Sequence, residues 1–290
     1  MKSKKKYGLV LEGGGHRGIF TAGVLDVLLE NNIFVDGVIG VSAGAIHAVN
    51  YISRQKGRSV RYTSKYCSDK RYMSLKSLIT TGDLFNAEFC YHTLPEEIDV
   101  FDNETFEASS IEYYVVCTNV EDGKPFIKKL TSLREKNMNW LQASASMPLV
   151  SKPVLCEDDN GKLYQMLDGG ISDSIPEEAF RALGYEKNIV ILTQPKDYAK
   201  KKNSLLPLMK LFFRKNPSLL KTMGERHNVY NQTLRNLEQK EKEGSVLIIR
   251  PEVSLSAGRT EKDSGKIIET YNEGKKTAEK YLERIKKFLL

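Results

Sequence analysis

Three short stretches hold the residues whose types and spacing could do chemistry. Gly40-Val41-Ser42-Ala43-Gly44 sets a serine between two glycines, after the apolar run 33–39 and before the helix-forming run 45–49. Strand, tight Gly-x-Ser-x-Gly turn and helix are the setting of a nucleophile elbow. A serine that attacks a carbonyl must stand clear of the backbone on a sharp turn. Side chains at the flanking positions would strike the adjoining strand or helix, and glycine has none. The helix that starts there also aims free N–H groups at the negative charge formed during attack. The second stretch is Gly13-Gly14-Gly15-His16-Arg17-Gly18. Amides in such a turn can converge on an anion with no Cβ in the way. Beside a nucleophilic serine, that anion would be the oxygen of a tetrahedral intermediate. Arg17 would hold the loop or add positive charge. The third is Asp168-Gly169-Gly170, where Asp168 is a candidate base for a serine without an obvious histidine.

Each stretch has a rival reading. Gly13-x-Gly15-x-x-Gly18 also fits a dinucleotide fingerprint, which wants an acidic residue at the end of the second strand. That strand ends in Gly40-Val41-Ser42, and Asp36 lies before or within it. Asp-Gly-Gly alone is a common turn. A Ser–His–Asp triad would need a histidine after the acid. Of His16, His47, His92 and His227, only His227 qualifies, and its polar helical surroundings predict a surface position. An ordinary aspartate, with pKa about 4, is a poor base at neutral pH. Contact with the hydroxyl and exclusion of water would have to raise its basicity.

The elements that must position these residues read as follows. Tyr7 to Leu11 is a short buried strand, 19–30 a helix, 33–39 a strand, and a helix follows the elbow. Such alternation signals a parallel sheet, and ligands bind beyond the carboxyl ends of its strands. Residues 45–81 read as mostly helical, with Arg54, Arg58, Arg61, Tyr62, Tyr66, Arg71 and Tyr72 as a solvated face; 82–109 read as irregular. Strands are expected at 112–120 and 126–130, and a helix at about 133–145. A hairpin, 153–156 with 163–167, would deliver Asp168. A helix from Pro176 and a strand at 188–193 follow. Past 194 come a basic, apolar stretch (196–221), a long polar helix (218–243), a strand (245–250) and a final helix (262–288).

Length and composition set bounds. The 290 residues suffice for one large domain with an extension. At 40% hydrophobic and 28% charged the chain can bury a real core, and its net charge of +7 is modest. The basic residues are dispersed among acidic ones with no recognition module, which argues against nucleic-acid binding. Cys67, Cys90, Cys117 and Cys156 form no C-x-x-C, so reduced structural thiols are expected, without metal. The apolar run behind the basic N-terminus is too short for a secretory signal. No stretch approaches the roughly 18 apolar residues of a membrane span. A soluble, cytoplasmic protein is expected.

Together and in this order, the three motifs resemble the patatin-like phospholipase family over about residues 6–195. The resemblance implies an α/β fold, a three-layer α/β/α sandwich with a mostly parallel central sheet. It also implies hydrolysis of acyl esters of lipids, phospholipids or lysophospholipids among them, through a Ser–Asp dyad and an acyl-enzyme, with no cofactor. Ser42 would be the nucleophile, flanked by Gly40 and Gly44, and Asp168 the base, oriented by Gly169 and Gly170. Within Gly13–Gly18, the amides of Gly14 and Gly15 would form the oxyanion hole, with Arg17 supporting the loop. Residues 196–290 resemble the mainly helical extension of bacterial members, packed on the hydrolase domain. Glu12 and Ser172-Asp173-Ser174 depart from the commonest family pattern. Stretch 196–221 has the composition of an interfacial segment, giving possible peripheral membrane contact, though Pro207 and Pro217 break any long helix. A non-catalytic scaffold and a nucleotide-binding protein are the alternatives.

Overall fold

The structure is a computed structural model that describes residues 5–290. Its eight-stranded sheet contains β1 (Tyr7–Leu11), β2 (Gly37–Val41), β3 (Glu112–Asn119), β4 (Pro125–Leu130), β5 (Val154–Glu157), β6 (Leu163–Asp168), β7 (Lys187–Ile191) and β8 (Val246–Ile249). The order is β5-β6-β3-β2-β1-β7-β8, with β4 also on β3. β1, β2, β3, β7 and β8 run parallel; β4, β5 and β6 pair antiparallel. The helices are α1 (Ile19–Glu30), α2 (Ala43–Ile52), α3 (Arg58–Tyr66), α4 (Leu75–Thr81), α5 (Asn103–Glu107), α6 (Met138–Ser144), α7 (Glu177–Ala182), α8 (Leu206–Phe212), α9 (Pro217–Lys242) and α10 (Ser264–Phe288).

β1 explains the layering. Leu9 and Leu11 point to one face and Val10 to the other, and all are fully buried. A strand apolar on both faces belongs in the middle of a covered sheet. On the first face Leu9 and Leu11 join Phe20 of α1, Val49 of α2, Leu141 of α6 and Ile285 of α10. On the second, Val10 joins Phe180 of α7 and Tyr230 and Leu237 of α9. The result is the expected three-layer α/β/α sandwich.

The register along β3 positions the site. One edge of β3 carries β4, paired from Tyr113 to Thr118. The other carries β2 only as far as Val116, opposite Val41. Beyond that point β6 takes over, with Cys117 opposite Asp168. The edge facing β4 is already filled there, so β2 and β6 share the same edge of β3, end to end. Ser42, the residue after Val41, is thereby brought beside Asp168.

Some local expectations are corrected. The second strand starts at Gly37, not at residue 33. Residues 33–36 turn into the sheet instead: Asn32 has φ +51°, and the Asp36 carboxylate accepts the Tyr7 amide at 2.7 Å. The 82–109 region is not irregular throughout. It contains a π-helical stretch, Phe89–Ile98, and α5. This segment covers α3, so much of the supposed solvated face is interior. Tyr62, Tyr66 and Tyr72 pack with Phe89 and Leu94. Arg58 is 4% exposed and donates to Asn50 and to the Asp99 carbonyl. Arg54 and Arg61 do remain outside. The C-terminal residues are built into the same layers. β8 extends the sheet beyond β7, and α10 lies on α1 so closely that a Cβ on Gly274 would sit 2.1 Å from the Phe20 carbonyl oxygen.

Candidate active site

Ser42 occupies the turn between β2 and α2 with φ +53° and ψ −125°. For a residue with a Cβ this is a strained conformation, costing about 1–3 kcal/mol and sustained only by its surroundings. Those surroundings are visible. The Ser42 amide donates to Ser144 Oγ at 2.9 Å, and Ser144 Oγ donates to the Val116 carbonyl at 2.7 Å. The elbow is thus tied to β3 through a buried hydroxyl on α6. A Cβ on Gly44 would lie 2.4 Å from the Leu11 carbonyl oxygen, so this turn admits only glycine there. Gly40 is buried at the end of β2.

Asp168 is 2% exposed. Its Oδ1 accepts the Gly170 amide at 2.7 Å, and its own amide donates to the Ser146 carbonyl at 2.9 Å. The Ser42 side chain lies close enough to favour its charged form. Burial pushes the Asp168 carboxyl above the ordinary aspartate range; Arg226, Ser42, the Gly170 amide and Arg259 oppose that shift. The balance favours a more basic carboxylate, as a base for a serine requires. Gly169 is buried, and a short 3-10 turn from Gly169 to Ile171 carries the chain away.

The glycine-rich loop follows β1 and leads through a 3-10 turn, Gly15–Gly18, into α1. A Cβ on Gly13 would meet Ser42 Cβ at 2.9 Å, so the loop backbone lies directly against the serine. Among the described residues, the amides of Gly13 and Gly14 donate to no protein acceptor. The loop is held from outside by the Arg259 carbonyl, which accepts the His16 amide at 3.0 Å. Serine, buried carboxylate and free amides therefore meet at the carboxyl ends of β1, β2 and β6.

A family model for patatin-like phospholipase matches residues 9–181, more than half of the chain. The chain belongs to the patatin-like phospholipase family. A second family model, described as a domain of unknown function (DUF6363), matches residues 216–290. An uncharacterized protein YjjU of Escherichia coli (strain K12) is 30% identical over 64% of this chain and 52% of its own length. A protein named lysophospholipase nte1, from Aspergillus terreus, is 26% identical over 97% of this chain and 18% of its own. The neuropathy target esterase sws of Drosophila melanogaster is 30% identical over 63% of this chain and 12% of its own. The chain thus spans about half of the bacterial relative and under a fifth of these eukaryotic ones.

Around the patatin-like motifs lie residues that sequence reasoning passed over. In the sequence Glu12 reads only as a departure from the commonest family pattern. It is 3% exposed, accepts the Thr193 amide at 2.6 Å and the Tyr230 hydroxyl at 2.7 Å, and so clamps the glycine loop to the chain after β7 and to α9. Ser144 carried no signal beyond a run of small residues, Ala143 to Ser146. His227 is corrected from the expected surface position. It lines the same cavity as Ser42, and its Nδ1 is buried without a partner among the described residues. No hydrogen bond joins it to Asp168 among the described residues. His16 and His47 also line the cavity but have partners: His16 Nδ1 meets the Glu261 carbonyl, and buried His47 meets Ser59, its pKa lowered to about 3 by desolvation; His92 meets Glu96.

The cavity has a volume of about 1050 Å³. That is at the upper end of ligand pockets. Ile46, Val49, Leu94, Phe101 and Leu141 give it apolar walls, while Arg17, Lys200, Arg226 and Arg259 reach it from the loop and the C-terminal region.

Proposed function

We propose that the protein is a serine hydrolase that cleaves carboxylic ester bonds of lipids, phospholipids or lysophospholipids among them, through a Ser42–Asp168 dyad. The observation that carries this reading is the shared edge of β3, which seats Ser42 beside the buried Asp168. Ser42 Oγ would attack the acyl carbon while its proton passes to Asp168. The amides of the Gly13–Gly15 loop would hold the resulting oxyanion. On collapse, the alcohol leaves with the proton from Asp168 and the acyl group stays on Ser42. Water, giving its proton to Asp168, then releases the fatty acid, and the proton returns to Ser42. The apolar walls suit an acyl chain, and the names of the eukaryotic relatives agree with an ester substrate.

Hydrolysis of a short-chain p-nitrophenyl ester by wild type, Ser42→Ala and Asp168→Ala tests the dyad. Both variants should keep their circular dichroism and lose activity by several orders of magnitude. Near-normal turnover in folded Asp168→Ala would move the base to another group, His227 first.

We also propose peripheral membrane contact by a cytoplasmic protein. Among the described residues no helix is long and apolar enough to cross a membrane. Leu205, Leu208, Leu211 and Phe212 nonetheless stand 45–67% exposed on and beside α8. Lys201, Lys202, Lys210, Arg214 and Lys215 flank them, which is the pattern of an interfacial segment. The cysteines are free thiols, as in a reducing compartment. Anionic vesicles should sediment the protein at low salt; failure to do so removes this contact.

A further inference from the structure

Of the seven lysines and arginines that line the cavity, four form one cluster whose charges act on one another. Arg17 comes from the glycine loop, Lys200 from the chain after β7, Arg226 from α9, and Arg259 from the segment before α10. Among the described residues none of the four has a carboxylate within ion-pair distance, although the protein forms many such pairs elsewhere. The buried carboxylates that line the cavity are already engaged, Asp83 with the Lys152 amide and ammonium. Glu12 accepts from Thr193 and Tyr230, and Asp168 from Gly170. Asp197 also lines the cavity, but it is exposed.

The cations sense one another. Arg17 is made less basic by burial and then by Arg259. Lys200 is lowered to about 7 by burial and then by Arg226, with Arg259 and Arg17 adding to it. Such crowding is unfavourable in an empty pocket and is relieved by a bound anion. The geometry is already fixed on the protein side. Arg226 Nε donates to the Gly170 carbonyl, and the Arg259 main chain holds the glycine loop. The Lys200 ammonium lies 4.0 Å over the Tyr230 ring, and Arg17 Nε is buried with no acceptor among the described residues.

We propose that Lys200 and Arg259, with Arg17, form a subsite for the phosphate of the substrate's head group, so that the C-terminal region selects phosphate-bearing esters over neutral ones. The proposal rests on the hydrolase reading and adds the substrate class to it. The acyl chain would lie along the apolar walls, with the ester at Ser42 and the phosphodiester among the cations. Guanidinium groups suit phosphate oxygens in particular.

Two measurements test it. In the first, glycerophosphocholine and inorganic phosphate are titrated into Ser42→Ala by calorimetry, with and without Lys200→Met and Arg259→Gln. Glycerophosphocholine should bind, more weakly by about tenfold or more in each added variant, and Lys200→Arg should restore binding. Binding of inorganic phosphate alone would assign the cluster to the free anion and overturn the head-group proposal. In the second, kcat/KM is compared for a lysophosphatidylcholine and a monoacylglycerol of the same chain length, both below their critical micelle concentrations. The ratio should fall tenfold or more in Lys200→Met. Equal losses on the two esters, with the fold intact, would overturn the subsite. If neither ester is hydrolysed by wild type yet glycerophosphocholine binds through Lys200, the hydrolase reading fails and the subsite stands.

Discussion

At the scale of single residues, Asp168 stands in a conflict that chemistry would exploit. Its burial makes the charged form costly, while Arg226, Arg259, Ser42 and the Gly170 amide favour it. Tyr91 and the Cys117 thiol face it too, and burial keeps both protonated. The outcome is a carboxyl whose folded pKa lies above the unfolded one. The folded state therefore holds a proton over a window where the unfolded state has lost it. Across that window stability falls as pH rises, and the loss persists above it. An asparagine removes this cost while its carbonyl can still accept from Gly170. Asp168→Asn should then melt at a higher temperature than wild type at pH 7, and be inactive; a lower Tm would mean that the aspartate charge stabilises the fold through its arginines. The wild type should also lose kcat/KM on the acid side at a pH above the ordinary aspartate range, as Asp168 takes up its proton.

At the scale of elements, glycines decide how closely backbones approach, and two of them predict opposite results. Gly274 in α10 faces the Phe20 carbonyl of α1, where an added Cβ would come within 2.1 Å of backbone. Neither helix can yield by a rotamer change. Gly274→Ala should destabilise by about 1–3 kcal/mol, overpacking outweighing the gain in helix propensity. Because α1 begins at the glycine loop, turnover should fall as well. Gly224 in α9 is the control: its Cβ would meet only Leu206 Cδ2, at 3.7 Å. Gly224→Ala should stabilise by up to about 1 kcal/mol. Urea unfolding separates the two, and equal effects would discredit the packing argument. The same scale explains what could be read from sequence. The β1 strand, the hairpin that ends in Asp168 and the elbow are local patterns of apolar residues, turns and glycines, so their positions were legible. Burial of Arg58 was not, because it depends on a π-helical segment some 30–40 residues away that folds over α3. The positions of His227 and Arg226 were hidden for the same reason. They look like part of a polar helix until α9 is laid against the sheet.

At the scale of the whole molecule, the patatin-like motifs end at Gly170, yet the architecture that holds them does not. Tyr230, Leu237, Val246 and Ile248 are buried against one face of the sheet, and Leu247, Ile249, Ala278 and Ile285 against the other. Burial of one large aliphatic side chain is worth about 1.5–3 kcal/mol. Losing these together would match or exceed the roughly 5–15 kcal/mol that holds a domain folded. Removal of β8 would also leave β7 as a bare apolar edge, a template for aggregation. The site would suffer independently. Glu12 would lose the Tyr230 hydroxyl, and His16 would lose the carbonyls of Arg259 and Glu261, which fix the glycine loop. A chain ending at residue 195 should therefore be insoluble or lack cooperative thermal unfolding, although every residue of the three motifs is present. A soluble 1–195 fragment with a sharp melt and esterase activity would refute this, and would show that the C-terminal residues are needed only for what the cavity selects.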